Sequence, residues 1–198
     1  MTTESWDVVT IGAGPAGSLA SCLLARTGAR VLLVERKAFP RSKVCGGCLN
    51  AHAVASLERA GLAARVRALG ARPITEVRVR QRSRVVALPL PPGLAVSRSV
   101  LDSELVSAAV EAGVVFAPDT TALVIDEGVS SAHDGWRRVS LTPRRGSASI
   151  VCARVVLVAD GLSHSSLRAC PSLRSLPARG ARVGVGGFAP AGVIETAR

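Results

Sequence analysis

Tyrosine is absent from this 198-residue sequence, aromatic residues make up 3%, methionine occurs once and histidine three times. So few aromatics leave almost no platforms on which nucleic-acid bases could stack. His52, His133 and His164 stand apart from one another, so they name neither an acid–base pair nor a metal-binding pair. Acidic residues are scarce as well, 14 against 25 Lys and Arg, for a net charge of +11. Clustered cations would favour nucleic acid or an anionic membrane through counterion release. Here the basic residues are nearly all arginine, scattered from Arg26 to Arg198, and read as a bias shared with Ala, Gly and Val. A nucleic-acid partner is therefore not expected. Apolar runs such as Val155-Val156-Leu157-Val158-Ala159 fall far short of the ~20 residues a bilayer span needs, so no membrane span is expected. The start, Met1-Thr2-Thr3-Glu4-Ser5-Trp6-Asp7, carries acids and runs into an apolar strand, unlike a basic signal peptide, which predicts a cytoplasmic protein. Five cysteines without a secretion signal are expected to stay reduced. Zinc wants about four ligands, and no second Cys-x-x-Cys accompanies Cys45 and Cys48, so no metal is expected.

What is present is patterned. Trp6-Asp7-Val8-Val9-Thr10-Ile11 is a β-branched run that stops at glycine, and Ala13 to Gly28 supplies small and aliphatic residues at helical spacing. Arg30 to Glu35 is a second buried-strand run, so a βαβ unit with a parallel pair opens the chain. One or two helices are predicted from Asn50 to Leu69, interrupted at Gly61. From Ile74 to Pro89 apolar and basic residues alternate, as in a half-buried antiparallel hairpin. A helix follows from Ser99, as N-cap, to Gly113, with Asp102 in its first turn. Strands are predicted at Val114 to Phe116, Thr121 to Ile125, Arg138 to Thr142 and Ser149 to Ala159. The fold class is α/β: a Rossmann-like domain with a parallel sheet, an antiparallel β excursion and an incomplete substrate domain. The expected division is 1–70 and 98–170 for the two parts of the dinucleotide domain, 71–97 for the excursion and 171–198 for the start of a substrate domain.

The turn Gly12-Ala13-Gly14-Pro15-Ala16-Gly17 carries the first chemistry. Gly12 permits the sharp bend, Gly14 lets backbone approach a pyrophosphate, and Gly17 lets helix and strand pack closely, while helix N-terminal amides favour the anion. Its context matches a dinucleotide site: strand before, helix after, then a second strand ending at Glu35, whose carboxylate can accept from ribose hydroxyls. Arg36 and Lys37 beside Glu35 keep a 2′-phosphate open as an alternative to a plain ribose.

FAD and NAD share this device, and three later segments separate them. Phe39-Pro40-Arg41-Ser42-Lys43-Val44-Cys45-Gly46-Gly47-Cys48-Leu49 resembles the Pro-Arg-x-Lys-x-Cys-Gly-Gly segment of the geranylgeranyl reductase branch of flavoproteins. Arg98 to Leu105 resembles the Arg-x-x-Leu-Asp-x-x-Leu helix start shared with aromatic hydroxylases of the p-hydroxybenzoate hydroxylase fold. Val158-Ala159-Asp160-Gly161, followed by Ser163, Ser165 and Arg168, resembles the Asp-Gly motif of that superfamily. The resemblance implies an FAD-dependent oxidoreductase acting on an isoprenoid, another apolar alkene or a natural-product intermediate, with NAD(P)H a candidate electron donor. It places Gly12, Gly14, Ala16 and Gly17 around the pyrophosphate, Glu35 on the ribose and the Cys45-Gly46 backbone beside the cofactor; Pro15 and Arg36, next to these residues, are further cofactor-binding candidates. Arg98 is placed on the phosphate or ribityl region, Ala122 near the adenine, and Asp160 at a motif turn completed by Ser163 or Ser165. Catalytic residues are not named, because in this superfamily the flavin performs the redox chemistry.

Two alternatives stay open. Cys45 and Cys48 are spaced for a redox disulfide beside a flavin, although reduced thiols lining a pocket fit better; the disulfide-reductase pattern starting Gly46-Gly47-Cys48-Leu49-Asn50 would need its second cysteine at Ala53. The enzyme class could also be a flavin-dependent monooxygenase or halogenase. The resembling families run well past this length, so the chain is expected to be a fragment or short product, with Arg182 to Ala189 as the first strand of a missing region. A non-catalytic FAD-binding remnant is the third reading.

Overall fold

In the computed structural model, residues 4–125, 135–162, 164–173, 178 and 180–181 are described. The expected strand at 182–189, together with Ser163 and His133, lies outside them.

The chain opens as its pattern predicts, with β1 (Glu4–Ile11), α1 (Pro15–Arg26) and β2 (Val31–Val34). After β3 (Cys48–Leu49) come α2 (Ala51–Arg59) and α3 (Ala63–Ala68), separated where Gly61 takes a φ of +70°. The Asn50 side chain caps α2 by accepting from the Ala53 amide at 2.9 Å. A ribbon of β4 (Arg72–Gln81) and β5 (Arg84–Ala95) follows, then α4 (Arg98–Glu111), β6 (Val115–Ala117), β7 (Thr120–Val124), β8 (Arg137–Pro143) and β9 (Ser149–Val158).

Six strands form one sheet in the order β6-β2-β1-β9-β8-β7. Its first four strands are parallel, and β8 and β7 are antiparallel to their neighbours. Alternation along the central strands sorts the core into two halves. Val8, Val31 and Leu33 join Leu57, Leu62, Val66, Leu101 and Leu105 on the helical side, whereas Val9, Ile11, Leu32 and Val34 join Val124, Val139 and Leu141 on the other. Each fully buried Leu or Val among these contributes roughly 1.5–3 kcal/mol, which is why both faces of β1 and β2 are apolar without alternation.

Two expectations need correction. The hairpin is not half-buried: β4 is exposed along almost its whole length, and Val77, Val79, Val85, Val86 and Leu88 are all exposed. It belongs to a separate three-stranded sheet, β3-β5-β4, whose third strand the sequence pattern missed because β3 has only two residues. The N-cap of α4 is Ser97, not Ser99, with the helix already begun at Arg98. Asp102 consequently lies beyond the first turn, fully buried, and serves as an ionic partner rather than a complement to the helix dipole.

Candidate functional site

Strand register assembles the site before any side chain is considered. Ile11 lies beside Val34 on one side and Val158 on the other, so Gly12, Glu35 and Ala159-Asp160 leave the sheet together. The Gly12 amide donates to Val34 O at 2.7 Å and the Ala159 amide to Ile11 O at 2.8 Å, which locks the three strand ends into one rim. The chain leaves β1 toward β2 on one flank while β9 occupies the other, and such a switch point opens a crevice at the carboxyl ends of the strands.

The glycines of the turn have distinct steric reasons. Gly12 adopts a φ of +105°, and a Cβ there would lie 2.4 Å from Ala159 O. At Gly17 a Cβ would lie 1.9 Å from Gly12 O, so the first turn of α1 packs directly on the strand end. Gly14 differs: a Cβ would meet only Arg41 Nη2 at 3.8 Å and Arg98 Nη2 at 4.0 Å, leaving its backbone open toward two guanidinium groups. Gly14 is the N-cap of α1 with no side-chain cap bond, Pro15 begins the helix, and no acidic residue occupies the first turn. The first amides of a helix have no acceptor within it, so those of Ala16 and Gly17 suit an anion.

Glu35 is 7% exposed. Its Oε2 accepts from the Ala13 amide and its Oε1 from the Lys37 amide, each at 3.1 Å. The carboxylate therefore braces the glycine turn and keeps lone pairs for further donors. Arg41 brings a cation to it, with Nη2 3.4 Å from Glu35 Oε2 and 3.3 Å from Asp102 Oδ2. Its guanidinium lies 5.2 Å from the Phe39 ring centroid. Arg98 makes a two-pronged contact with Asp102, Nε to Oδ1 at 2.9 Å and Nη2 to Oδ2 at 3.0 Å. That contact raises the Arg98 pKa, and hydrogen bonds from the Gly47 backbone and from Arg98 hold the Cys45 thiol below its ordinary range. Cys48 Sγ donates to Gly46 O at 3.2 Å.

Asp160 completes the rim. Its Oδ2 accepts from both the amide and the hydroxyl of Ser166, at 3.0 and 2.9 Å. Among the described residues the serine bonded to Asp160 is Ser166, turned inward by the 3-10 turn Ser165–Leu167, while Ser165 is exposed and also lines the cavity; Ser163 lies outside the described residues. Asp160 Oδ1 is buried with no hydrogen-bond partner among the described residues.

Two adjoining cavities follow the rim. Ile11, Gly12, Glu35, Arg36, Ala122, Asp160 and Ser166 line one, and Gly12, Gly14, Glu35, Arg36, Arg41, Lys43 and Asp160 line the other. Gly12, Gly14, Glu35, Arg36, Ala122 and Asp160 are thereby brought together. Arg98 stands across the turn from them, and Pro15 and Ala16 line a separate apolar cavity with Leu49, Leu57 and Leu101. Gly46 has nothing near the position a Cβ would take. Sequence reasoning gave no role to Arg41, Lys43 or Ser166; the charge of Arg41 and Lys43 within the quoted segment was the available signal. The residues fit an adenine dinucleotide: an open backbone at Gly14 under two guanidinium groups, a braced acid, and a buried Asp160 oxygen that accepts no hydrogen bond among the described residues and has His164 Nδ1 4.0 Å away.

Comparison with known proteins accords with this geometry. The model of the FAD binding domain family matches residues 5–186. The menaquinone reductase of Mycobacterium tuberculosis is 37% identical, over 98% of this chain and 45% of its own length. Digeranylgeranylglycerophospholipid reductase 2 of Methanopyrus kandleri is 33% identical over 79% of this chain and 38% of its own. A solved flavin-dependent brominase matches with a TM-score of 0.66 at 29% identity, covering 79% of this chain and 38% of that one. The chain spans less than half the length of these proteins.

Proposed function

The chain belongs to the FAD binding domain family, and on that premise we propose that it holds the adenosine and pyrophosphate of FAD for an oxidoreductase that reduces an isoprenoid or other apolar lipid. The observation that carries the reading is the convergence of Gly12, Glu35 and Asp160 at three adjacent strand ends. Glu35 takes the ribose hydroxyls, the Ala16 and Gly17 amides and the Gly14 backbone take the pyrophosphate, and Ala122 lies at the adenine. Arg36 neighbours the ribose, and Asp160, held by Ser166, lines the crevice. Bound FAD supplies two-electron chemistry; this chain's residues bind it, orient it and keep water from the adenosine end. The substrate class rests on two relatives named as reductases of menaquinone and of a digeranylgeranyl phospholipid, both isoprenoid lipids. NAD(P)H is the proposed electron donor, on the resemblance alone.

The brominase likeness favours a second reading, a flavin-dependent monooxygenase or halogenase. A visible spectrum of the purified chain tests the common premise. Flavin bands near one per chain are expected, and a colourless sample unable to take up added FAD would sink it. Anaerobic alkene reduction by the complete protein separates the first reading from the second, which requires dioxygen consumption.

A further inference from the structure

On the reading that the crevice holds an adenine dinucleotide, we infer that Arg41 is the residue that selects a ligand bearing a diphosphate over adenosine alone, by donating from Nε and the adjacent Nη to the diphosphate oxygens. Its side chain is 9% exposed, yet its two ion pairs among the described residues are long, at 3.4 Å to Glu35 and 3.3 Å to Asp102. Charge-assisted N–H···O bonds ordinarily run about 2.7–2.9 Å. Its Nε is buried with no hydrogen-bond partner among the described residues. A buried guanidinium with donors to spare is costly unless an acceptor meets it.

The acceptor's position follows from Gly14, where an added Cβ would stand 3.8 Å from Arg41 Nη2. The same space is reached by Arg98, but Arg98 spends Nε and Nη2 on Asp102 at 2.9 and 3.0 Å. An entering diphosphate needs donors that are not already spent, and Arg41 has them in its unbonded Nε and its long contacts to Glu35 and Asp102. The planar fork also suits a phosphate oxygen pair better than a point charge does.

The test compares ADP with adenosine, and FAD alongside, by titration calorimetry on the purified chain. Arg41→Gln is expected to weaken ADP and FAD at least about tenfold, the scale of a lost charged hydrogen bond, while adenosine binding changes little. Arg41→Lys keeps the charge beside Glu35 and Asp102 and hence the fold, and is expected to lower the ADP-to-adenosine preference at least about threefold; it decides alone if the Gln variant does not fold. Equal losses for ADP and adenosine would mean that Arg41 acts only through Glu35, and would overturn the inference. An unchanged preference in the Lys variant would overturn it too. A wild-type chain that binds neither FAD nor ADP overturns the FAD reading and this inference together, whereas wild-type binding with an unaltered preference in the variants overturns this inference alone.

Discussion

Val31, Leu33 and Val34 of β2 are at most 1% exposed, whereas Val77, Val79 and Val86 of the β4–β5 ribbon are 41 to 53% exposed, although both regions are rich in β-branched residues. The difference lies in what each region brings with it. A parallel pair must be joined by a crossover, and α1 supplies the layer that covers one face of β1 and β2. An antiparallel ribbon needs only the short link between Gln81 and Arg84, so its pairing is complete without any covering element. The rim of Gly12, Glu35 and Asp160 inherits the rigidity of the first kind of region.

The sharpest attempt to break the contrast is Gly17→Ala, because the added Cβ would collide with Gly12 O and could be relieved only by moving α1 off the strand. A loss of about 3 kcal/mol or more is expected in urea unfolding, the upper end for overpacking; a midpoint near wild type would show the helix to be more loosely seated than described. Next in size is Glu35→Ala. Losing the acceptor of the Ala13 and Lys37 amides as well as the proposed ribose contact should weaken FAD by roughly 1–3 kcal/mol, and unchanged affinity in a fluorescence titration would remove Glu35 from the site.

A smaller effect concerns Cys45. Because the Gly47 backbone and Arg98 favour its thiolate, its alkylation rate should rise at lower pH than that of an ordinary thiol, and Arg98→Gln should move the inflection back up. An inflection at the ordinary thiol value in the wild-type chain would contradict the contact with Arg98. The smallest change is expected in the ribbon, where Val79→Lys should alter stability by less than about 0.5 kcal/mol, as for a surface site. A large loss there would mean that the ribbon is covered in solution.

Much of the fold was legible because its signals are local. The glycine turn between two apolar runs, the break at Gly61 and the acid closing β2 each concern residues within a few positions, and strand–turn–helix geometry turns that spacing into place. Alternation in the ribbon was read correctly as a two-stranded pattern but not as burial, since a period of two says which residues share a face and nothing about what lies against it. Ser166 escaped because the 3-10 turn after β9 decides which of several neighbouring serines turns inward.

By itself, then, the sequence determined the βαβ unit, the open backbone at Gly14 and the position of Glu35, since each depends on short-range sterics and on register between strands joined by one crossover. Only the tertiary structure decided that Arg41, Asp102 and Arg98 meet beside that turn. These residues come from a loop and from a helix beyond the ribbon, and their charges pair because packing of α4 against α1 removes them from water together. No spacing along the chain encodes that distance.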